Sequence, residues 1–180
     1  MSSTATALQT DPTQAAHGPV ARAVEGKYMT FKLANEEYGL EILKVREIIR
    51  LMNITRVPRA PEFINGVINL RGKVIPVVDL RLKFGMPGAE ATDQTVIIVV
   101  QYAMADGDFT MGILVDEVLE VLSIAQDQIE PTPNFGAKTS DNNFILGVGK
   151  SERRVIFLID IGQVLTSDET AAAVEASGGN

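Results

Sequence analysis

Val74–Leu80 (VIPVVDL) is followed 81 residues later by Val155–Ile161 (VIFLIDI), and Gly66-Val67 matches Gly147-Val148 at the same spacing. Each copy is an apolar run rich in β-branched residues, followed by an aspartate and one more apolar residue. This pattern is typical of a buried strand that leads into an Asp-capped turn. The chain of 180 residues therefore contains an internal repeat of β structure.

Further matches extend the repeat upstream in the same order. The equivalent pairs are Gly39 and Gly112, Val45 and Val118, Glu47 and Glu120, Ile48 and Val121, and then Pro61–Phe63 and Pro133–Phe135. The spacing changes across the polar stretch 136–143. We expect two similar subdomains of about five short strands, which close into small barrels. Units of about 70 residues are barely stable alone, so they should share a core.

The mainly β pattern occupies residues 27–165, with short helices at the connections, such as the one that Asp79 can cap. Residues 1–26 have turn formers and no periodicity, which predicts a disordered tail. Thr166 and Glu169 have the spacing of a capping box. Residues 166–180 are therefore predicted to form a helix to about Ala176, followed by a frayed end.

The composition excludes several classes of function. The chain has no Cys and one His, His17, which lies in the predicted tail. A disulfide framework, a thiolate zinc site, a Cys nucleophile and a Ser-His-Asp triad are therefore excluded. Neither a Walker loop nor a dinucleotide-binding fingerprint occurs. We predict no catalytic residue, no metal and no cofactor. Without a signal peptide or an apolar run of about 20 residues, a cytoplasmic protein is expected.

The charge is unevenly distributed. The net charge is -7, which opposes a nucleic-acid partner because such proteins normally carry a basic face. Residues 27–83 nevertheless have a net charge of +5, and residues 84–165 have -8. This asymmetry is either chance along a solvated surface or a sign of two lobes of opposite charge. The second reading favours head-to-tail docking with a similar protein.

Two short segments are candidates for recognition. Arg71 lies in a predicted hairpin tip, where it is either a solvated turn residue or a planar donor held at a groove. Glu47 lies between Val45 and Ile48 in an otherwise apolar stretch. Its side chain either points to solvent, as alternate residues of a strand do, or belongs to a mixed apolar and charged contact patch. A groove between the two lobes is the expected place for a ligand or partner.

The residues around these segments resemble a known family. Glu37–Ile48 resembles the opening signature of the CheW family of chemotaxis coupling proteins, and Pro61–Gly72 with Val74–Arg81 resembles its central signature. Gly112–Asp116 resembles its second half. The resemblance covers about residues 28–165. It implies two intertwined five-stranded SH3-like barrels around a shared core, and no enzyme activity.

The resemblance also implies partners. Family members link the cytoplasmic tips of chemoreceptors, the methyl-accepting chemotaxis proteins, to the histidine kinase CheA. The receptor's helical hairpin lies in the groove between the subdomains, which is helix-in-groove recognition. Carried over to this chain, the implied receptor contacts are Val45, Glu47, Ile48, Arg71, Val96, Ile97 and Val121.

The family also packs in rings against the regulatory domain of CheA, which has the same fold, and against other CheW-like proteins. Phe135 resembles one such contact, whereas Glu130 departs from the basic residue that many members have nearby. Two rival hypotheses remain. One is a small-molecule-binding β-barrel with a closed polar pocket between the lobes. The other is an SH3-like nucleic-acid binder, which the acidic pI of about 4.8 opposes.

Overall fold

The computed structural model describes residues 23–132 and 144–178, and the statements below concern these ranges. The described chain is mainly β, which confirms the predicted fold class. The strands are β1 Gly26–Leu33, β2 Glu36–Glu41, β3 Val45–Arg50, β4 Ile64–Leu70, β5 Lys73–Asp79, β6 Val96–Met104, β7 Gly107–Val115, β8 Glu117–Ile124, β9 Ile129–Glu130, β10 Ile145–Ser151 and β11 Arg154–Ile159. The helices are α1 Leu80–Lys83 and α2 Ser167–Ala176.

The strands form two sheets that exchange hairpins. The six-stranded sheet has the order β8-β1-β2-β11-β10-β9, and the five-stranded sheet has the order β3-β6-β7-β5-β4. The β1–β2 hairpin of the first half thus lies among strands of the second half, and β6–β7 lies among strands of the first. Two parallel pairings, β2 with β11 and β5 with β7, join the halves. The barrels are therefore intertwined, as the resemblance implied.

The repeat is preserved in backbone hydrogen bonds. The Asp79 N–H donates to the Phe63 carbonyl oxygen at 2.8 Å, and 81 residues later the Asp160 N–H donates to the Phe144 carbonyl oxygen at 2.7 Å. The Asp79 carboxylate accepts hydrogen bonds from the first turn of α1, and the Asp160 carboxylate accepts one from the Gly162 N–H. The predicted Asp-capped turns are confirmed.

The core has a shared part and two barrel interiors. Side chains alternate between the two faces of a strand, so each central strand contributes to the shared core and to the interior of its own barrel. On β6, Ile98 and Val100 pack in the shared core between the sheets, whereas Ile97 and Val99 pack inside the five-stranded barrel. All four are at most 2% exposed. A separate cluster that includes Tyr28 fills the six-stranded barrel.

One charged pair connects distant parts of the fold. Arg81 of α1 donates through Nε to Asp116 Oδ1 at 2.8 Å, and Asp116 Oδ2 accepts the Ala34 N–H of the β1–β2 turn at 2.7 Å. Burial alone would raise the pKa of Asp116, but these hydrogen bonds outweigh it and hold the pKa below its usual value. The pair ties α1 and the β7–β8 corner to the exchanged hairpin.

The ends of the chain need one correction. Ala23 packs against the fold although it belongs to the predicted tail 1–26, because it is 3% exposed and its N–H donates to the Leu146 carbonyl oxygen. Residues 1–22 lie outside the described residues. At the other end, Thr166 and Glu169 form the predicted capping box, and α2 ends at Ala176. Lys83 Nζ holds this helix by an ion pair to Glu169 Oε2 at 2.6 Å.

Candidate functional site

The edge strands β3 and β8 each present an apolar side chain to the space between the sheets. Ile48 lies opposite Ile98 in the β3–β6 pairing, and Val121 lies opposite Met29 in the β1–β8 pairing. Ile98 and Met29 both belong to the shared core, so Ile48 and Val121 point to the inter-sheet side. Ile48 is 42% exposed and Val121 is 47% exposed. Exposed apolar side chains mark a contact surface when they form one patch, and these two residues are candidates for such a patch.

Two further predicted residues lie near Ile48 in the five-stranded sheet. Val45 and Val96 are half-buried and pack against the shared core. We call the four residues Val45, Ile48, Val96 and Val121 the apolar border. The prediction for Ile97 is wrong, because Ile97 is 0% exposed and lies inside the five-stranded barrel. Adjacent strand residues face opposite sides, so Val96 and Ile97 cannot both line one surface.

The structure brings Arg71 and Glu47 together. Arg71 lies at the β4–β5 hairpin tip with a φ of 52°, and the Gly72 N–H donates to Asn69 Oδ1 at 2.8 Å within the same turn. The Arg71 guanidinium forms an ion pair with the Glu47 carboxylate of β3. β3 and β4 are the two edges of the five-stranded sheet, so this pair bridges the seam of the barrel. The Arg71 side chain is 71% exposed and remains accessible.

An equivalent arrangement in the other sheet was missed by sequence reasoning. Arg154 of β11 donates through Nε to Glu37 Oε2 at 2.9 Å and through its terminal nitrogen to Glu120 Oε1 at 2.5 Å. Glu120 is the repeat equivalent of Glu47. The turn residue Glu152 has a φ of 54°, as Arg71 has 52°. The match of Glu47 with Glu120 in the repeat could have predicted a second ion pair, but it did not show that Arg154 is the partner of Glu120.

The predicted kinase or ring contacts lie elsewhere. Glu130 ends the short strand β9, and its side chain is 60% exposed. It forms an ion pair with Lys150 Nζ, so a cation of this chain already occupies its carboxylate. Phe135 lies outside the described residues. Both contacts remain predictions.

A large open cleft is lined by none of the four residues of the apolar border. Its volume is about 1730 Å³, and the β6–β7 hairpin, α1 and α2 contribute to its lining. The rings of Phe84 and Phe144 stack there with centroids 4.6 Å apart. Lys83 and Asp160 also line it. Lys83 is already paired with Glu169, and the Asp160 carboxylate already caps its own turn. Among the described residues, the buried Tyr102 hydroxyl makes no hydrogen bond of regular geometry, and its polar neighbour is the Thr170 side chain.

A family model described as "CheW-like domain" matches residues 27–169. The chain belongs to the CheW family. The chemotaxis protein CheW of Klebsiella aerogenes is 42% identical over 145 residues, which cover 81% of this chain and 84% of that protein. The CheW of Bacillus subtilis is 36% identical and is matched over 82% of this chain and 92% of its own.

A solved structure shows the same fold. The scaffolding protein TtCheW from Thermoanaerobacter tengcongensis superposes with a TM-score of 0.70 and 36% sequence identity. The match covers 81% of this chain and 96% of that chain. In the part of this chain that the structure describes, no helix is long and apolar enough to cross a membrane.

Proposed function

We propose that this CheW-family chain is a non-enzymatic, cytoplasmic adaptor that couples the cytoplasmic tips of chemoreceptors to the histidine kinase CheA. The observation that supports it best is the apolar border. Equivalent, exposed apolar side chains, Ile48 and Val121, lie on the free edges of the two sheets and face the same inter-sheet side. An open strip of this kind suits the apolar face of a helix rather than an enclosed small ligand.

The receptor's helical hairpin would place its apolar stripe along the border. Ile48 and Val121 are each nearly half exposed, so covering each of them contributes about 1 kcal/mol. Val45 and Val96, already half-buried, extend the contact. Apolar contacts of this kind supply affinity, and nearby charges set the orientation of the helix.

Arg71 and Glu47 are the charged part of this receptor site. The Asn69 side chain holds the hairpin tip, so Arg71 is presented from a fixed turn rather than from a flexible loop. Its guanidinium has five N–H donors, so it can keep Glu47 and still reach a carboxylate or carbonyl of the partner. Because the turn is already ordered, receptor binding loses less conformational entropy at Arg71.

CheA would bind through its regulatory domain at a separate surface that includes Glu130 and Phe135. The exposed ion pair between Glu130 and Lys150 contributes little to stability, so a partner can exchange its charges at small cost. With receptor and kinase on different surfaces, control passes through the geometry in which both are held. Rings with other CheW-like proteins would use the same type of contact.

The decisive experiment is co-sedimentation of the full chain with a purified receptor cytoplasmic fragment and CheA, scored for kinase activity. We expect a ternary assembly in which kinase activity rises above that of CheA with receptor alone. A chain that is folded by circular dichroism but stays in the supernatant would contradict the proposal. So would an assembly that forms without any change in kinase activity.

A second candidate, a small-molecule-binding module, is favoured by one observation. The Tyr102 hydroxyl is buried beside the open cleft, and its neighbour there, the Thr170 side chain, makes no hydrogen bond of regular geometry with it. A thermal-shift screen of metabolites against the native chain and Tyr102→Phe tests it. A compound that stabilises only the native chain would support this function, and a screen without such a compound would reject it.

A further inference from the structure

β3 and the loop after it carry an excess of cations. Between residues 44 and 60 the chain has five Lys or Arg residues and one carboxylate, Glu47. Glu47 is already paired with Arg71. The segment has four arginines, Arg46, Arg50, Arg56 and Arg59. All four are exposed, and within the described residues none of them forms an ion pair.

Some of these cations flank the apolar border. Arg50 lies opposite Val96 in the β3–β6 pairing, so it shares the inter-sheet side with Ile48. Arg46 lies on the same edge strand, at the register shift between Val45 and Glu47. Beyond Arg50, Leu51 and Met52 are 39% and 38% exposed. The β3 edge therefore combines exposed apolar side chains with cations that lack carboxylate partners.

The β8 edge of the border has a different charge. The repeat equivalents of Arg46 and Arg50 are Leu119 and Ser123, which carry no charge. The nearest charges on this strand are carboxylates, those of Glu117 and Glu120. Glu120 is paired with Arg154, so its charge is partly compensated. The border is thus cationic along β3 and neutral to acidic along β8.

We propose that the helix that occupies the apolar border carries an acidic stripe on its β3 side, next to its apolar stripe, and none on its β8 side. This inference rests on the proposed function and specifies the chemistry of the partner. Like charges across an interface are repulsive, so the asymmetry also fixes which way round the helix lies.

The spacing of the two arginines sets the spacing of the acidic residues. Arg50 comes four positions after Arg46, which is at most about 13 Å at about 3.3 Å per residue because the register shift lies at Arg46. A helix rises about 1.5 Å per residue, so carboxylates seven or eight residues apart, about two turns, match this distance when the helix runs along β3. The partner is therefore a helix with Glu or Asp at i and i+7 or i+8.

Two synthetic helical peptides test the proposal. They share one Leu/Ile stripe and differ only in two flanking positions two turns apart, which are Glu in one peptide and Lys in the other. Titration into the full chain should give about tenfold tighter binding of the Glu peptide, since each exposed ion pair contributes a few-fold. The difference should shrink in high salt, because these charges are exposed to solvent.

Variants of the chain assign the effect to β3. The double variant Arg46→Glu/Arg50→Glu should reverse the preference and bind the Lys peptide more tightly. Arg153→Glu is the matched control, because Arg153 is exposed in the β10–β11 turn and, among the described residues, has no ion pair. It should leave the preference unchanged. Ile48→Ser should weaken both peptides equally. Circular dichroism checks that each variant is folded.

The outcomes separate this inference from the proposed function. Equal binding of both peptides by a chain that still co-sediments with receptor and CheA would overturn the acidic stripe alone. Failure of that co-sedimentation, with the peptide preference intact, would overturn the proposed function and leave a different acidic helical partner. Binding to phosphatidylserine vesicles that Arg46→Glu/Arg50→Glu abolishes, with no peptide preference, would assign the cations to a membrane surface and overturn the inference.

Discussion

Gly39 of β2 lies directly opposite Leu158 of β11 in one of the parallel pairings that join the two halves of the chain. The equivalent pairing places Gly112 of β7 opposite Val77 of β5. A Cβ on Gly39 would lie 2.9 Å from Leu158 Cδ2, and a Cβ on Gly112 would lie 2.6 Å from Ile97 Cγ2. A Cβ at either glycine would force neighbours to shift: Leu158 across the junction at Gly39, and at Gly112 the Ile97 side chain of the same β6–β7 hairpin, with Val77 Cγ2 across the junction at 3.4 Å.

Gly112→Ala should therefore destabilise the fold. Ile97 is fully buried and its Cγ2 is attached to a branched Cβ, so it cannot rotate away without disturbing the barrel interior. We expect a loss of about 1–3 kcal/mol in the free energy of unfolding, measured in urea. Gly26→Ala is the control, since nothing lies within 4 Å of its Cβ. Equal stability of the two variants would contradict the close packing.

Arg71→Glu should weaken receptor binding while the fold stays intact. The side chain is 71% exposed, so losing the ion pair to Glu47 should cost at most about 1 kcal/mol of stability. Receptor pull-down measures the affinity, and circular dichroism measures folding. Unchanged affinity in a folded variant would reject Arg71 as a receptor contact.

The exchanged pair, Arg71→Glu with Glu47→Arg, distinguishes two roles. If Arg71 only bridges the seam of the barrel, the exchanged pair restores the bridge and with it receptor binding. We expect binding to remain weak, because the donors then lie on β3 instead of the hairpin tip. Full recovery of affinity would assign the pair to stability of the fold rather than to recognition.

Ile48→Ser and Val121→Ser should each lower receptor affinity about three- to tenfold, because each removes an apolar side chain that the helix would cover. Met104→Ser is the matched control: Met104 is 39% exposed but lies at the tip of the β6–β7 hairpin. Sedimentation with the receptor fragment measures all three. An equal loss for Met104→Ser would show that the border has no special role.

Asp116→Asn should lower stability at neutral pH by about 1–3 kcal/mol, since it removes a charge-assisted hydrogen bond to Arg81. The folded state lowers the pKa of Asp116, so its contribution is present above the unfolded value, near pH 4, and is lost as the pH falls through the folded pKa. Urea midpoints between pH 7 and 3 should fall less steeply in Asp116→Asn than in the native chain. Parallel curves would contradict this role.

The sequence predicted the repeat, the fold class and the caps at Asp79 and Asp160, because apolar runs and capping residues are local signals. It could not orient Ile97, because a run buried on both faces has no alternation that separates one side from the other. The residues alone did not show the hairpin exchange either. The sequence pattern of two similar halves is the same whether the strands of a half pair with each other or with strands of the other half. The intertwining was therefore expected only from the family resemblance.

Pairs between distant charged residues were the least predictable part. Arg81 and Asp116 are 35 positions apart, and Arg154 and Glu37 are 117 apart. Each of these residues lies within two positions of the end of a strand, where a charge is ordinarily solvated. Only the folded arrangement shows which of them meet. Arg71 and Glu47 were singled out separately, and their contact was likewise not predicted.

The exchange of hairpins has a mechanical consequence. In the described ranges the backbone passes from one sheet to the other at two places, between β2 and β3 and between β7 and β8. The strands that begin after these crossings, β3 and β8, carry three of the four residues of the apolar border, Val45, Ile48 and Val121. A load applied there pulls on covalent links to both barrels and on the core between them. If a receptor helix binds at this border, as we propose, we expect its displacement to act on both barrels together rather than on one of them.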